Sequence, residues 1–481
     1  MKKVSLNLLI FCLMFFLLAV FLGLWWKYFK PASSSRTDKA ESSSYFSAEK
    51  PNIVLITVDT LRTDHLQCYG YSKNISPNID RLAEKGILFL NTMSQSASTP
   101  VSHASILTGL YPYHHGLRFL HGGQQHNLKD PVTTLAERLK GDGYRTAAFI
   151  SAFPLNSRRY NLNQGYETYD EDFTIHKNTV DSPLGRLRGI FNTSKSQRRS
   201  DATNKKVFSW LDKHYREKFF IWVHYFDPHD SVLIPPDKFL QKYPEARNKD
   251  AKSIEMYDVN IAYTDYQFGE LWKKIKKLDL DNSTFFILTS DHGQGLNDHN
   301  YWAHAKRLYQ EQIHVPLIIK YSKLPQDKKI SAVTRTVDIV PTILDALNLP
   351  SSGNQFDGTS LLPCIIENQP LDDLISYSET HYPKILEDAS PLFSLIEKNW
   401  KFIFHSEAEE MSELFDLKND PGETNNLAKK HPELIQKFKD YLQRENILSL
   451  ETEMLKPQSI EEDALEKLRS LGYLNSEGTD K

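Results

Sequence analysis

The chain has 481 residues, with 58 lysines and arginines against 61 aspartates and glutamates, and three cysteines. That length buries a large core and fits one big domain with a smaller appendage, while the balanced charge supplies no field that would recruit nucleic acid. Cys12, Cys68 and Cys364 are too few for a disulfide framework and are spaced unlike zinc-binding pairs, so packing must hold the fold.

Lys2 and Lys3 precede an apolar stretch from Leu8 to Trp26, after which Trp25, Trp26, Lys27, Tyr28 and Lys30 mark a water interface. The stretch is long enough to cross a bilayer and longer than the apolar core of a cleavable signal peptide. Pro31-Ala32-Ser33 matches a cleavage site only weakly. Residues 1–30 therefore read as an uncleaved signal anchor, a transmembrane helix that makes the membrane a partner and places the bulk outside the cytoplasm, in a periplasmic or extracellular space. Residues 31–49, serine-rich with mixed charge, read as a flexible linker.

From 50 to 350 strands and helices alternate. Three apolar runs each stop at an acid: Asn52–Val58 at Asp59, Phe219–Phe226 at Asp227, and Thr284–Ser290 at Asp291. Continuous apolar runs read as strands buried on both faces of a parallel sheet, and ligands gather at the carboxyl ends of such strands. Carboxylates there, with His224, His229 and His292 close in sequence, point to a metal site. Pro77–Glu84 and Pro131–Lys140 read as helices, and Arg145–Ser151 as a strand. The basic stretch Arg186 to Lys206, with Arg188, Lys195, Arg198 and Arg199, reads as a solvated loop.

Residues 351–481 change to short strands, including Asn399–Phe404 and Ser412–Leu417, a helix around Pro432–Arg444 and a last helix over Ile460 to Leu471. The predicted fold class is α/β, a large, mostly parallel, doubly wound sheet with a smaller C-terminal α+β subdomain.

Thr99-Pro100-Val101-Ser102-His103-Ala104-Ser105-Ile106-Leu107-Thr108-Gly109 resembles the sulfatase signature. Val54 to Arg62, Ser290-Asp291-His292-Gly293, Asp338 to Thr342, Leu414 to Leu417, and Asp420-Pro421 to Ala428 are similar to further motifs of that family, in its order. The resemblance implies the alkaline-phosphatase superfamily fold. Counting back from Thr108-Gly109 puts Thr99 at the nucleophile position, normally Cys or Ser oxidised to formylglycine, and His103 where Arg usually stands; counting forward from Pro100 selects Ser98 instead. The first register sets the nucleophile at a helix start. Threonine is a secondary alcohol and yields no aldehyde, so no formylglycine is expected. Its hydroxyl still serves as a nucleophile where a cation lowers its pKa.

The resemblance implies Asp59, Asp291 and His292 as metal ligands. Thr60 stands where the family often has a second Asp, and His292 where many calcium sulfatases have Asn; fewer carboxylates and an imidazole favour zinc or manganese, with calcium possible. His229 is implied as a substrate-anion contact or leaving-group acid, a role that suits imidazole. His103, His224, His304 and Lys306 are candidate substrate contacts, and Asp227 is either a second metal ligand or a turn cap. Arg62 and His114-His115 read as surface or supporting groups. The family's Gly-Lys-Trp-His segment is replaced by Phe149-Ile150-Ser151-Ala152, which removes two cationic contacts.

The expected function is a metal-dependent sulfatase-family ester hydrolase using Thr99, acting on a small anionic ester, lipid headgroup or glycan. A phosphodiesterase or phospho-group transferase is the alternative, because threonine nucleophiles occur in relatives that handle phosphodiesters. A catalytically silent binding ectodomain is the alternative from another class.

Overall fold

The computed structural model describes residues 50–448 except 119–126, 174–195, 230–232, 247–248, 250–251, 350–355, 372–373 and 388. The expected anchor, linker and last helix lie outside the described residues, as do Arg188 and Lys195. Among the described residues no helix is long and apolar enough to cross a membrane.

The three apolar runs form β1 (Asn52–Val58), β5 (Phe219–Tyr225) and β6 (Thr284–Ser290), each buried along its whole length. With β2 (Ile87–Met93), β3 (Arg145–Phe149), β4 (Thr168–Asp170), β9 (His314–Lys320) and β10 (Lys328–Arg335) they make one sheet in the order β10-β2-β9-β6-β1-β5-β3-β4. Strand β9 alone runs against its neighbours; every other pairing is parallel. Val58 lies opposite both Tyr225 and Ser290. The three central strands therefore end level, and the loops opening at Asp59, Phe226 and Asp291 leave from one edge.

A short hairpin of β7 (Gly295–Leu296) and β8 (Trp302–Ala303) follows β6. The C-terminal sheet is antiparallel, β11 (Ile375–Thr380), β12 (Leu392–Glu397), β13 (Trp400–His405) and β14 (Glu413–Asp416) in sequence order. The amphipathic helix Pro432–Arg444 buries Phe438 and Leu442 against it, with Phe438 stacked on Phe402 at 5.6 Å.

The edge strand β11 is stitched to the segment leading into Thr99. Ser378 Oγ donates to Ser94 O (2.6 Å), Glu379 N to Gln95 O (3.0 Å) and Ser96 Oγ to Glu379 O (3.0 Å). Ser94 Oγ in turn donates to the carbonyl of Asp291.

Two sequence expectations need correction. The helix expected from Pro131 begins at Leu135, because Thr134 and Glu137 close a capping box: Thr134 Oγ1 accepts Glu137 N, and the Glu137 carboxylate accepts Thr134 N. The expected basic loop ends at Ser200, where a helix Ser200–His214 begins. Arg198 is not solvated. It is buried, bonded to the Asp170 carboxylate and to the carbonyls of Asp170 and Asp172.

Candidate active site

Thr99 opens the helix Thr99–Thr108, with Ser98 as N-cap, Pro100 in the first turn and Gly109 at φ 73° closing it. All ten helical residues are buried. The Thr99 hydroxyl lies 3.3 Å from Asp59 Oδ2 and 3.1 Å from His292 Nε2.

The Asp291 carboxylate is held by backbone. Asp291 Oδ1 accepts from His292 N (2.8 Å) and Thr60 N (3.2 Å). Thr60 reaches it only by adopting φ 57°, an uncommon conformation for a β-branched residue. Tyr257 holds it there by donating to Thr60 O at 2.6 Å. The Thr60 hydroxyl turns back to Asp59 O (2.8 Å). Gly293 lets the β6 loop pass close to its neighbour, since a Cβ there would lie 2.1 Å from Glu311 O.

What remains unbonded tests the metal. Asp59 Oδ1 and Asp291 Oδ2 are buried with no hydrogen-bond partner. His292 Nδ1 lies 2.9 Å from Gly293 O, a carbonyl that can only accept, so Nδ1 carries the proton and Nε2 presents its lone pair. Asp59, Asp291 and His292 each offer one ligand atom within 4.8 Å of the others. Burial, and then the charge of Asp291, push the Asp59 carboxyl well up; a divalent cation offsets both effects. The residues fit such an ion.

Two further histidines steady this centre. His224 Nδ1 accepts Ser151 N–H (3.2 Å), so its proton sits on Nε2 and points at Asp59 Oδ2, 3.3 Å away. His103 Nδ1 donates to Thr99 O (2.7 Å) and its Nε2 accepts from the Thr57 hydroxyl (3.0 Å), whose oxygen in turn accepts from Trp222 Nε1 (2.9 Å). Burial pulls both imidazoles down, so both are neutral. On the other side, the His304 ring stacks on His292 at 4.6 Å and meets His229 edge-on at 4.7 Å, while His229 lies on Phe226 at 4.1 Å. Burial holds His229 and His304 well below the usual imidazole range.

Residues 51–349 match the Sulfatase family, and residues 298–447 match the family described as N-sulphoglucosamine sulphohydrolase, C-terminal. The chain belongs to the sulfatase family. It is an ester hydrolase of that family with an alkaline-phosphatase-like fold. It is 22% identical to an N-acetylgalactosamine-6-O-sulfatase of Bacteroides thetaiotaomicron over 84% of this chain and 95% of that protein. To human arylsulfatase K it is 25% identical over 80% of each. Among solved structures, the phosphonate monoester hydrolase of Agrobacterium radiobacter superposes with a TM-score of 0.64 at 20% identity, over 84% of this chain and 96% of that one.

Within this sulfatase fold the sequence candidates divide. Thr99, Asp59, Asp291, His292, His103 and His224 form one bonded cluster, and His304 and His229 join it through ring contacts. Lys306 is half-buried on the loop that carries His304. Asp227 stands apart: its carboxylate accepts from Ser200 N (3.0 Å) and Ser200 Oγ (3.1 Å), capping the helix Ser200–His214. The roles expected were a second metal ligand or a cap on the turn before Pro228; it caps a helix start instead, and burial pushes its carboxyl up to about 7.

Several supporting residues escaped the sequence reading. Trp222 and Thr57 anchor His103, Gln294 Oε1 fixes His304 Nδ1 at 3.0 Å, and Ser94 holds the Asp291 carbonyl. Arg62 is a buried brace: it bonds Asp64 (2.7 Å), Asp298 (2.6 Å) and Gln294 O (2.9 Å), tying the β1 loop to the β6 loop. Arg62 was expected as a surface or supporting group and is the latter; Trp222, Thr57, Gln294 and Ser94 offered no such signal.

Proposed function

We propose that this sulfatase-family chain cleaves sulfate esters by a covalent mechanism in which Thr99 is the nucleophile. Asp59, Asp291 and His292 would hold a divalent cation, zinc or manganese rather than calcium. When bound, such an ion supplies Lewis acidity and favours the alkoxide of a nearby alcohol. The observation that carries this reading is the Thr99 hydroxyl within 3.3 Å of Asp59 and 3.1 Å of His292 at the start of a helix, beside two carboxylate oxygens with no partner.

In the first step the Thr99 oxygen forms a bond to the ester sulfur as the bond to the alcohol oxygen breaks. Asp59 Oδ2 accepts the hydroxyl proton. The helix N-terminus steadies the charge that builds on the oxygens. His229 or His304 assists the departing alcohol from beside the site, and the leaving oxygen takes its proton from water. Water then attacks the threonine ester, releasing sulfate and restoring the hydroxyl. His103 and His224, each bonded through both ring nitrogens, orient Thr99 and Asp59. Lys306 remains a candidate contact for the outer part of the substrate.

The substrate proposed is a sulfated glycan, supported by the chain's likeness to the hexosamine sulfatase of Bacteroides thetaiotaomicron. A phosphodiester is the second reading. It is favoured by Thr99 itself, which cannot supply the aldehyde diol of formylglycine enzymes. The domain is further proposed to lie outside the cytoplasm on an anchor within residues 1–30, on the strength of the apolar run Leu8 to Trp26 between lysines.

The test is an assay of the full-length protein in detergent with 4-nitrophenyl sulfate, 4-nitrophenyl phosphate and bis(4-nitrophenyl) phosphate, beside Thr99→Ala. Sulfate-ester turnover that the variant loses is expected. Turnover that survives in Thr99→Ala removes the threonine from the mechanism. Metal-free protein inert to all three esters means a binding module.

A further inference from the structure

His304 sits on backbone that L-residues rarely adopt. The residues on either side of it, Ala303 and Ala305, have φ 124° and φ 76°, and Asn297, His299 and Asn300 earlier in the same hairpin also have positive φ. Asparagine tolerates that region, but alanine has no side chain to bond in compensation, so the two alanines carry strain that the surroundings must hold. Gly295 on the facing strand lets the hairpin close, since a Cβ there would lie 2.5 Å from Tyr301 O and 3.0 Å from Ala303 O.

Three consecutive carbonyls are each gripped by a different side chain. Gln312 Nε2 donates to Ala303 O (3.1 Å), Tyr301 OH to His304 O (2.6 Å), and the Thr380 hydroxyl to Ala305 O. Gln312 and Thr380 are 0% and 1% exposed. Thr380 Oγ1 also accepts Tyr382 N (3.3 Å), which sets the hydroxyl with its proton on Ala305 O.

Thr380 is the last residue of β11, and the two residues before it, Ser378 and Glu379, hold the segment Ser94–Ser96. One strand end of the C-terminal sheet therefore braces both the approach to Thr99 and the hairpin that carries His304. The ring so presented stacks on His292 at 4.6 Å and meets His229 at 4.7 Å. Strained backbone persists only where its surroundings over-determine it, and it clusters at active sites.

We propose that Thr380 is a positioning residue: by holding Ala305 O it keeps the strained segment in place and so fixes His304 for contact with the substrate. The inference rests on the reading of His304 as a group beside the departing alcohol.

The test uses the full-length protein in detergent, with Thr380→Val, Thr380→Ser, and Thr380→Val combined with Ala305→Gly or with His304→Ala. Hydrogen exchange read by mass spectrometry follows the peptide covering residues 301–308, and turnover is measured on 4-nitrophenyl sulfate, 4-nitrophenyl phosphate and bis(4-nitrophenyl) phosphate. In Thr380→Val, exchange in that peptide is expected to quicken at least about tenfold and kcat/KM to fall about tenfold, while Thr380→Ser keeps both near the wild type. Glycine takes φ 76° without strain, so Ala305→Gly should restore both in the Thr380→Val background. On His304→Ala, Thr380→Val should cost nothing further, because the threonine acts through that ring. Tyr301→Phe, at a partly exposed position, releases the neighbouring carbonyl and should reproduce the loss if Thr380→Val does not fold. Unchanged exchange, a loss that Ala305→Gly leaves in place, or a loss equally large without His304 would each overturn the proposal. A wild type inert to every ester would instead sink the ester-hydrolase reading, while the exchange measurements still decide whether Thr380 clamps the segment.

Discussion

Arg118 and Glu379 face each other in a bidentate pair, Nε to Oε1 and Nη2 to Oε2 at 2.7 Å each, with both side chains almost fully buried. Tyr377 OH and His381 Nε2 complete the shell around the carboxylate. Burial raises the Glu379 carboxyl, but Arg118 and the hydrogen bonds outweigh it and hold the group well below the usual carboxylate range. The pair lies where the C-terminal sheet meets the main domain. Removing one partner, as in Arg118→Met or Glu379→Gln, strands the other in a dry site, and a loss of about 3–5 kcal/mol is expected in denaturant unfolding. The double variant Arg118→Met with Glu379→Leu should recover much of it. Single variants as stable as wild type would show that water reaches the pair.

Thr99→Ala is expected to keep the fold and lose at least about 10³-fold in kcat/KM, since no other group replaces a missing nucleophile. Thr99→Ser, which keeps the hydroxyl, should retain measurable turnover. Quenched intact-mass spectrometry of the working enzyme should show an adduct mapping to the peptide that contains Thr99.

Asp59→Ala and Asp291→Ala should each abolish stoichiometric metal in elemental analysis. His224→Ala, which removes the N–H aimed at Asp59, should weaken metal binding by about 10- to 100-fold, the range typical of outer-shell partners. Protein that keeps its metal after Asp291→Ala would place the ion elsewhere.

His115 supplies a pH signature. Its Nδ1 accepts Leu117 N–H (3.1 Å), its Nε2–H donates to Ser105 Oγ (3.0 Å), and burial pulls the imidazole down to about 3. In the unfolded chain it titrates near 6.5, so between these values the unfolded state binds a proton that the folded state refuses. Its contribution is present in full above about 6.5 and is lost as pH falls towards 3, at up to about 1.4 kcal/mol per unit. Unfolding free energies compared between wild type and His115→Gln should converge on acidification. Parallel curves would mean that the ring is solvated.

Much of this was legible in the chain. The runs ending at Asp59 and Asp291 gave strands because both faces of each are buried, and their acids fall together because Val58 and Ser290 are register partners. The same rule misled at Asp227, since Ser200, the residue it caps, lies 27 positions earlier and follows a basic stretch that reads as loop. Apolar runs carry no sign of direction, so the reversal of β9 was invisible. Ser94 and Asp291 are 197 residues apart, and a serine in a polar segment announces nothing about a distant carbonyl.

The seam from Ser378 through Ser94 to Asp291 makes the enzyme indivisible. A shortened gene product stopping after the main sheet would retain every proposed reactive side chain and still lose the bonds that hold the Ser94–Ser96 segment against Asp291. Engineers who wish to exchange the C-terminal half between relatives must therefore carry the Ser94–Ser96 segment with it, or expect a folded body with a slack centre.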